Sequence, residues 1–64
     1  MPLSRQAAKR ILKEAGAERV SGSAAREFSE RINKIAYGIA NKAVKLARHA
    51  KRNTVKKEDV ELAI

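Results

Sequence analysis

The stretch SAAREFSERINKIAYGIANKAVKLARH, residues 23–49, decides the fold. No proline interrupts it, and Phe28, Ile32, Ile35, Ile39, Ala43, Leu46 and, just beyond it, Ala50 recur at steps of four and three. That is the period of one face of an α-helix, and Ala36, Ala40 and Ala47 widen the stripe. Gly38 interrupts it at a cost of ~1 kcal/mol against alanine, tolerable in so long a helix. Tyr37 and Val44 fall off the stripe and mark a second contact surface. At 1.5 Å of rise per residue, about 27 residues span roughly 40 Å. A compact chain of 64 residues has a radius of gyration of about 11 Å, hence a diameter under ~30 Å. The helix therefore overhangs any core that one chain can build, and its apolar stripe calls for a second chain.

Two short helices flank it. Ser4 is a natural N-cap and Gly16 a natural stop, which bounds a first helix at about residues 4–15. Ala8, Ile11, Leu12 and Ala15 share one face, with Arg5, Lys9 and Lys13 at i, i+4 spacing on another. A loop over 16–21 leads into the central helix, expected at about 22–49, with Ser21 or Ser23 able to cap it. A second loop over 50–55 precedes a last helix at about 56–64. Val60, Leu62, Ala63 and Ile64 supply that helix's apolar side, and Glu58 and Asp59 sit in its first turn, where the helix dipole favours acids. The expected class is all-α, in one domain over residues 1–64.

Composition points to association and to a polyanion. Twelve of the residues counted in the 44% hydrophobic fraction are alanine, and there is no cysteine and one histidine. A domain this small usually needs disulfides, a metal or a partner chain; the first two are not available, so oligomerisation is left. Absence of cysteine also fits a reducing compartment. The net charge is +8, and no acid occurs between Arg31 and Lys57. Such an excess favours DNA, RNA or an anionic membrane. The longest charge-free run, Ile35 to Asn41, is too short to span a bilayer. Met1 to Ser4 lacks the apolar run of a signal peptide, so the chain is expected to stay where it is made. The second loop concentrates the signal: Arg52 and Thr54 lie where backbone amides are also free, a combination that holds phosphate by charge, hydroxyl and N–H together.

The residues go further than the helix pattern. Ala15-Gly16-Ala17-Glu18-Arg19-Val20-Ser21 resembles the first loop of archaeal-type histones. Residues 43–50, then Arg52, Thr54-Val55-Lys56 and 58–63, resemble their second loop and third helix. The resemblance covers roughly Arg10 to Ile64 and implies a histone fold: short helix, long helix, short helix, paired as a head-to-tail handshake homodimer. Arg19-Val20 of one chain would then lie beside Thr54-Val55 of the other.

Carried over by resemblance, Arg19 enters the DNA minor groove, where width and negative potential attract arginine. Arg52, Asn53 and Thr54 contact phosphates near it, with Lys51 and Lys56 adding charge to the same loop. Arg10 and Lys13 contact the backbone near the centre of the dimer. An Arg52–Asp59 ion pair braces the second loop. His49, which on residue type alone is a surface histidine at a helix end, pairs in the family with the acid at Asp59 across a four-helix interface between dimers, supported by Leu46 and Leu62. The chain departs from the family pattern in Lys51, where glycine is common, in Asn53, where lysine is frequent, and in Asn33, Lys34, Gly38 and Lys42, where acids are frequent.

The implied function is a histone that binds double-stranded DNA without sequence specificity and compacts it by bending or wrapping. Homodimers would build tetramers or larger assemblies on DNA, and a paralogous histone could share the dimer. No cofactor, metal or membrane partner is expected, and the cytoplasmic chromosome, the nucleoid, is the expected location. An enzyme lacks an inventory: one histidine, no cysteine and no Gly-rich phosphate loop, with Ser21 and Ser23 explained as caps. One alternative is a histone-fold subunit of a heteromeric transcription or repair complex, against which stand Arg19, Arg52 and Thr54. Another is a dimer that bends DNA without tetramers. A cationic amphipathic membrane peptide would want a bulkier, more aromatic face than this alanine-rich one.

Overall fold

The computed structural model describes residues 2–64; Met1, the first residue of the segment weighed as a signal peptide, lies outside it. Three helices follow one another, α1 over Arg5–Glu14, α2 over Gly22–His49 and α3 over Lys57–Ala63. Among the described residues there is no strand. α1 and α3 are each shorter than the sequence suggests by one residue at either end, because those residues are caps. Ser4 is the N-cap of α1, its Oγ accepting the Ala7 N–H at 3.0 Å, and Ala15 is the C-cap. Lys56 and Ile64 hold the same places on α3. Of the two serines able to cap α2, Ser21 does so: its Oγ accepts the Ala24 N–H at 3.0 Å.

The turns that follow α1 and α2 share one device. After α1, the Gly16 N–H donates to the Lys13 carbonyl and the Ala17 N–H to that of Leu12, with Gly16 at φ 120°. After α2, the Lys51 N–H donates to the Arg48 carbonyl at 2.8 Å and the Arg52 N–H to that of Ala47 at 2.9 Å. Both are Schellman closures, which need a left-handed residue just past the helix end. Glycine fills that place once; the second time it is Lys51, at φ 59°.

The chain divides into two compact units, Met1–Lys34 and Ile35–Ile64, the boundary falling inside α2. In the first, Ala8, Ala25 and Ser29 are buried, the Ser29 hydroxyl donating to the Arg26 carbonyl at 2.9 Å. Asn33 closes this unit over the N-terminal segment. Its Oδ1 accepts the Leu3 N–H at 2.7 Å and its Nδ2 donates to the Leu3 carbonyl at 3.1 Å. In the second, Ala43, Ala47, Asp59 and Ala63 are buried.

The fully buried apolar residues of the single chain are thus alanines, and it covers the large side chains of the stripe only in part. Phe28, Ile39 and Leu46 are half-buried, while Ile35 is 59% exposed and Ile32 36%; off the stripe, Tyr37 is 56% exposed. Burying a side chain of this size stabilises by about 1.5–3 kcal/mol. One chain forgoes that gain at several positions along α2, which is the imbalance a second chain would correct.

Candidate nucleic-acid interface

The second loop is built around one carboxylate. Asp59, in the first turn of α3, is 3% exposed. Arg52 reaches it with both terminal nitrogens, Nη1 to Oδ2 at 2.8 Å and Nη2 to Oδ1 at 2.7 Å. The Lys56 N–H donates to the same Oδ2 at 2.8 Å, so Asp59 caps its own helix. Arg52 Nη1 also donates to the Thr54 carbonyl at 2.9 Å. One arginine and one aspartate therefore tie the end of α2, the loop and the start of α3 into a closed ring. The geometry is bidentate, the strongest and most directional form of this pair.

The charges respond accordingly. Hydrogen bonding by Arg52, and after it by the Lys56 amide, lowers the Asp59 pKa from 3.8 to about 2. The Arg52 guanidinium is raised above its ordinary value, chiefly by its hydrogen bonds to Asp59. A guanidinium carries five N–H donors, and three are spent on Asp59 and Thr54. Two remain, on a side chain 29% exposed.

Around this ring the loop is cationic and open. Lys51, Asn53, Thr54, Val55 and Lys56 are all exposed. The acid that belongs to the loop is consumed internally, so its outward charge is uncancelled by any carboxylate hydrogen-bonded to the side chains of Lys51 or Lys56 among the described residues. A cavity of about 190 Å³ opens beside it, lined by Val44, Ala47, Arg48, Arg52, Asn53 and Val55.

The first unit carries a separate set of cations. A concavity of about 400 Å³ along α1 is lined by Gln6, Lys9, Arg10, Lys13 and Glu14. It brings Arg10 and Lys13 together, and adds Lys9 and Gln6, which sequence reasoning left out of the site. The Ser4 hydroxyl takes the Ala7 amide, and the first amides of the helix, at Arg5 and Gln6, have no intrahelical carbonyl to reach. Arg19 lies exposed in the loop between α1 and α2.

His49 and Leu46 fall elsewhere, on a groove of about 420 Å³ that Lys42, Lys45, Leu62 and Ala63 complete. Leu62 is 74% exposed there. Asp59, expected both to pair with Arg52 and to meet the histidine of a neighbouring dimer, is held by Arg52 in the single chain and is nearly buried. Of the residues that sequence reasoning missed, Asn33 matters most to the fold. Nothing in an asparagine on a helix announces a backbone partner 30 residues away.

The comparisons with known proteins agree on a family. Residues 1–64 match the family described as histone-like transcription factor (CBF/NF-Y) and archaeal histone. The chain is 58% identical over 55 residues to a protein called probable archaeal histone 3 from Methanocaldococcus jannaschii, covering 86% of this chain and 82% of that one. Over 55 residues it is 49% identical to one of the subunits of the archaeal histone HAN1 from Thermococcus zilligii, with the same coverage of each chain.

Proposed function

Because the chain belongs to the family of histone-like transcription factors and archaeal histones, we propose that its exposed loop and first-helix cations form the DNA-facing surface of a histone homodimer. The chain is a histone-fold, DNA-binding chromatin protein of a non-enzymatic family. The finer reading is that dimers hold the phosphate backbone through Arg10, Lys13, Lys51, Arg52, Asn53, Thr54 and Lys56, while Arg19 enters the minor groove. The bound DNA is bent, in the nucleoid, with no preference beyond how cheaply a sequence deforms.

The observation that carries this reading is the Arg52–Asp59 ring. It holds loop 50–56 in one shape before any ligand arrives, so little ordering cost is left for binding. It also hides the loop's own acid while leaving two guanidinium donors and the Thr54 hydroxyl for phosphate. In the handshake arrangement the first loop of the partner chain lies beside this one, which would cover Val55, 41% exposed in the single chain. The exposed stripe of α2 finds its cover in the same arrangement.

Assembly beyond the dimer runs through the groove of Leu46, His49 and Leu62. Three donors already engage Asp59, so a His49 from a neighbouring dimer would meet only the edge of its carboxylate, and the leucines would carry the contact. Micrococcal nuclease digestion of protein-coated random-sequence DNA tests the proposal. A short protected fragment of one length, the same on DNA of different sequence, is expected. Multiples of that length, lost in His49→Ala, would assign wrapping to the groove. No protection would overturn the DNA-binding reading and return the chain to a place in a heteromeric complex.

A further inference from the structure

The solvent side of α2 changes character along the helix. In the first unit its cations have carboxylates of their own: Arg26 Nε stands 3.1 Å from Glu30 Oε2, and Arg31 Nε 2.6 Å from Glu27 Oε2. In the second unit α2 contains no acid. Lys42 and Lys45 are exposed there, one turn apart, and neither forms an ion pair among the described residues. The acids of α3 do not come to them. Asp59 is held by Arg52 and the Lys56 amide, and Glu61 stands 4.0 Å from Lys57. Uncancelled cations in a row attract a polyanion.

Their direction separates them from the second loop. With 3.6 residues to a turn, Lys42 and Lys45 point roughly 140° round the helix from Val44, Ala47 and Arg48, which wall the cavity beside that loop. An α-helix is about 10–12 Å across, whereas duplex DNA stays stiff over about 500 Å. A duplex lying on the loop therefore passes one side of α2 and leaves these lysines to another occupant. The surface they share with Asn41 is polar, and a protein partner would want an apolar centre to its contact. The leucines of the neighbouring groove lie to one side and are assigned to contact between dimers in the reading above. A single strand would want successive aromatic rings on which to stack its bases, and the second unit has Tyr37 alone. A duplex needs neither, and offers about one negative charge per 1.7 Å.

We infer that Lys42 and Lys45 bind the phosphates of a second DNA duplex, so that a dimer held on DNA by its loops bridges to another segment. The inference rests on the loop reading above, and its test measures the two surfaces separately.

A duplex fixed on beads is saturated with the protein and washed, and a free fluorescent duplex of unrelated sequence is titrated onto it. Wild type should retain the free duplex. In Lys42→Gln with Lys45→Gln, each dimer loses about four phosphate contacts, so retention should need at least about tenfold more free duplex. The affinity of the same variant for a single duplex should change by less than about twofold, because the loop contacts stand. Lys42→Arg with Lys45→Arg keeps both charges and should retain the free duplex as wild type does.

Retention by the glutamine variant equal to wild type would overturn the inference, as would wild type that binds the beads and retains nothing. Retention lost in His49→Ala, with both lysines intact, would overturn it in favour of contact between dimers. An equal fall in single-duplex affinity would put the lysines on the first duplex and refute it too. Displacement by polyglutamate as readily as by unlabelled duplex would turn the row into a docking place for acidic protein, against the inference. Wild type that does not bind the beads would instead sink the loop reading beneath it. Should the double variant fail to fold, Lys42→Gln and Lys45→Gln made singly should each weaken retention about threefold, two contacts being lost per dimer; no change in either would overturn the idea.

Discussion

Lys51 is a lysine in a glycine's place, and replacing it gives a prediction with a sign and a size. Its φ of 59° puts it in the left-handed region, where the Schellman closure after α2 holds it through the bond from its N–H to the Arg48 carbonyl. For an L-residue that conformation costs about 1–2 kcal/mol. Lys51→Gly removes this cost but gives the unfolded chain more freedom, which returns about 0.5–1 kcal/mol. Taken at their midpoints, the two effects leave a net gain of about 0.7 kcal/mol per chain, or about 1.5 kcal/mol for the proposed dimer of two 64-residue chains. At about 2.1 cal/mol/K per residue, the unfolding entropy of those two chains is near 0.27 kcal/mol/K, so Tm should rise by about 4–7 °C. Circular dichroism melts must be made at one fixed chain concentration, because a dimer's Tm depends on it. Lys51→Ala is the necessary control, since it removes the same charge and keeps the Cβ. The glycine variant should melt above both wild type and the alanine variant. If it melts no higher than Lys51→Ala, the strain assigned to this turn is absent. Both variants should bind DNA more weakly, with a salt slope shallower by about 0.9 if Lys51 touches one phosphate.

Three other outcomes follow from named contacts. Its hydrogen bonds hold Asp59 at about 2, below its ordinary 3.8, so its contribution to stability is full above about pH 5 and lost as pH falls through about 2. Melts from pH 5 to 2 should show that loss in wild type, and Asp59→Asn should be less stable at neutral pH while losing less on acidification. Asn33→Ala removes both hydrogen bonds to Leu3 and should cost about 1–2 kcal/mol in denaturant unfolding, with the Leu3 amide exchanging faster. Thr54→Ala should leave Tm nearly unchanged, because Arg52 is bound to the Thr54 carbonyl and not to its side chain. The same variant should weaken DNA binding several-fold, as should Arg19→Ala.

Local chemistry made much of this fold legible from residues alone. Ser4 and Gly16 marked the ends of α1 because caps and left-handed stops are decided within a few residues. The period along α2 fixed its face for the same reason. The Arg52–Asp59 ring was another matter: seven residues apart, one in the loop and one in α3, the two were paired only through the family resemblance. The Asn33–Leu3 clamp escaped entirely, since an amide side chain carries no sign of a backbone partner 30 residues away. Burial also differed from the periodic pattern. Ala43 is buried while Ile35, on the same stripe, is 59% exposed, because alanine is what one chain can cover and the isoleucine awaits another. Lys51 looked like added charge on the loop; that it also bears a strained φ depended on the turn around it.

Central to the proposed function is the reading that the chain holds DNA by its phosphates. The most direct test is the affinity of the purified protein for random-sequence duplex DNA between about 50 and 200 mM salt. Contacts to about six phosphates predict a log–log slope near −5. The slope should be the same for duplexes of unrelated sequence. A slope near zero over that range would contradict the phosphate-contact mechanism.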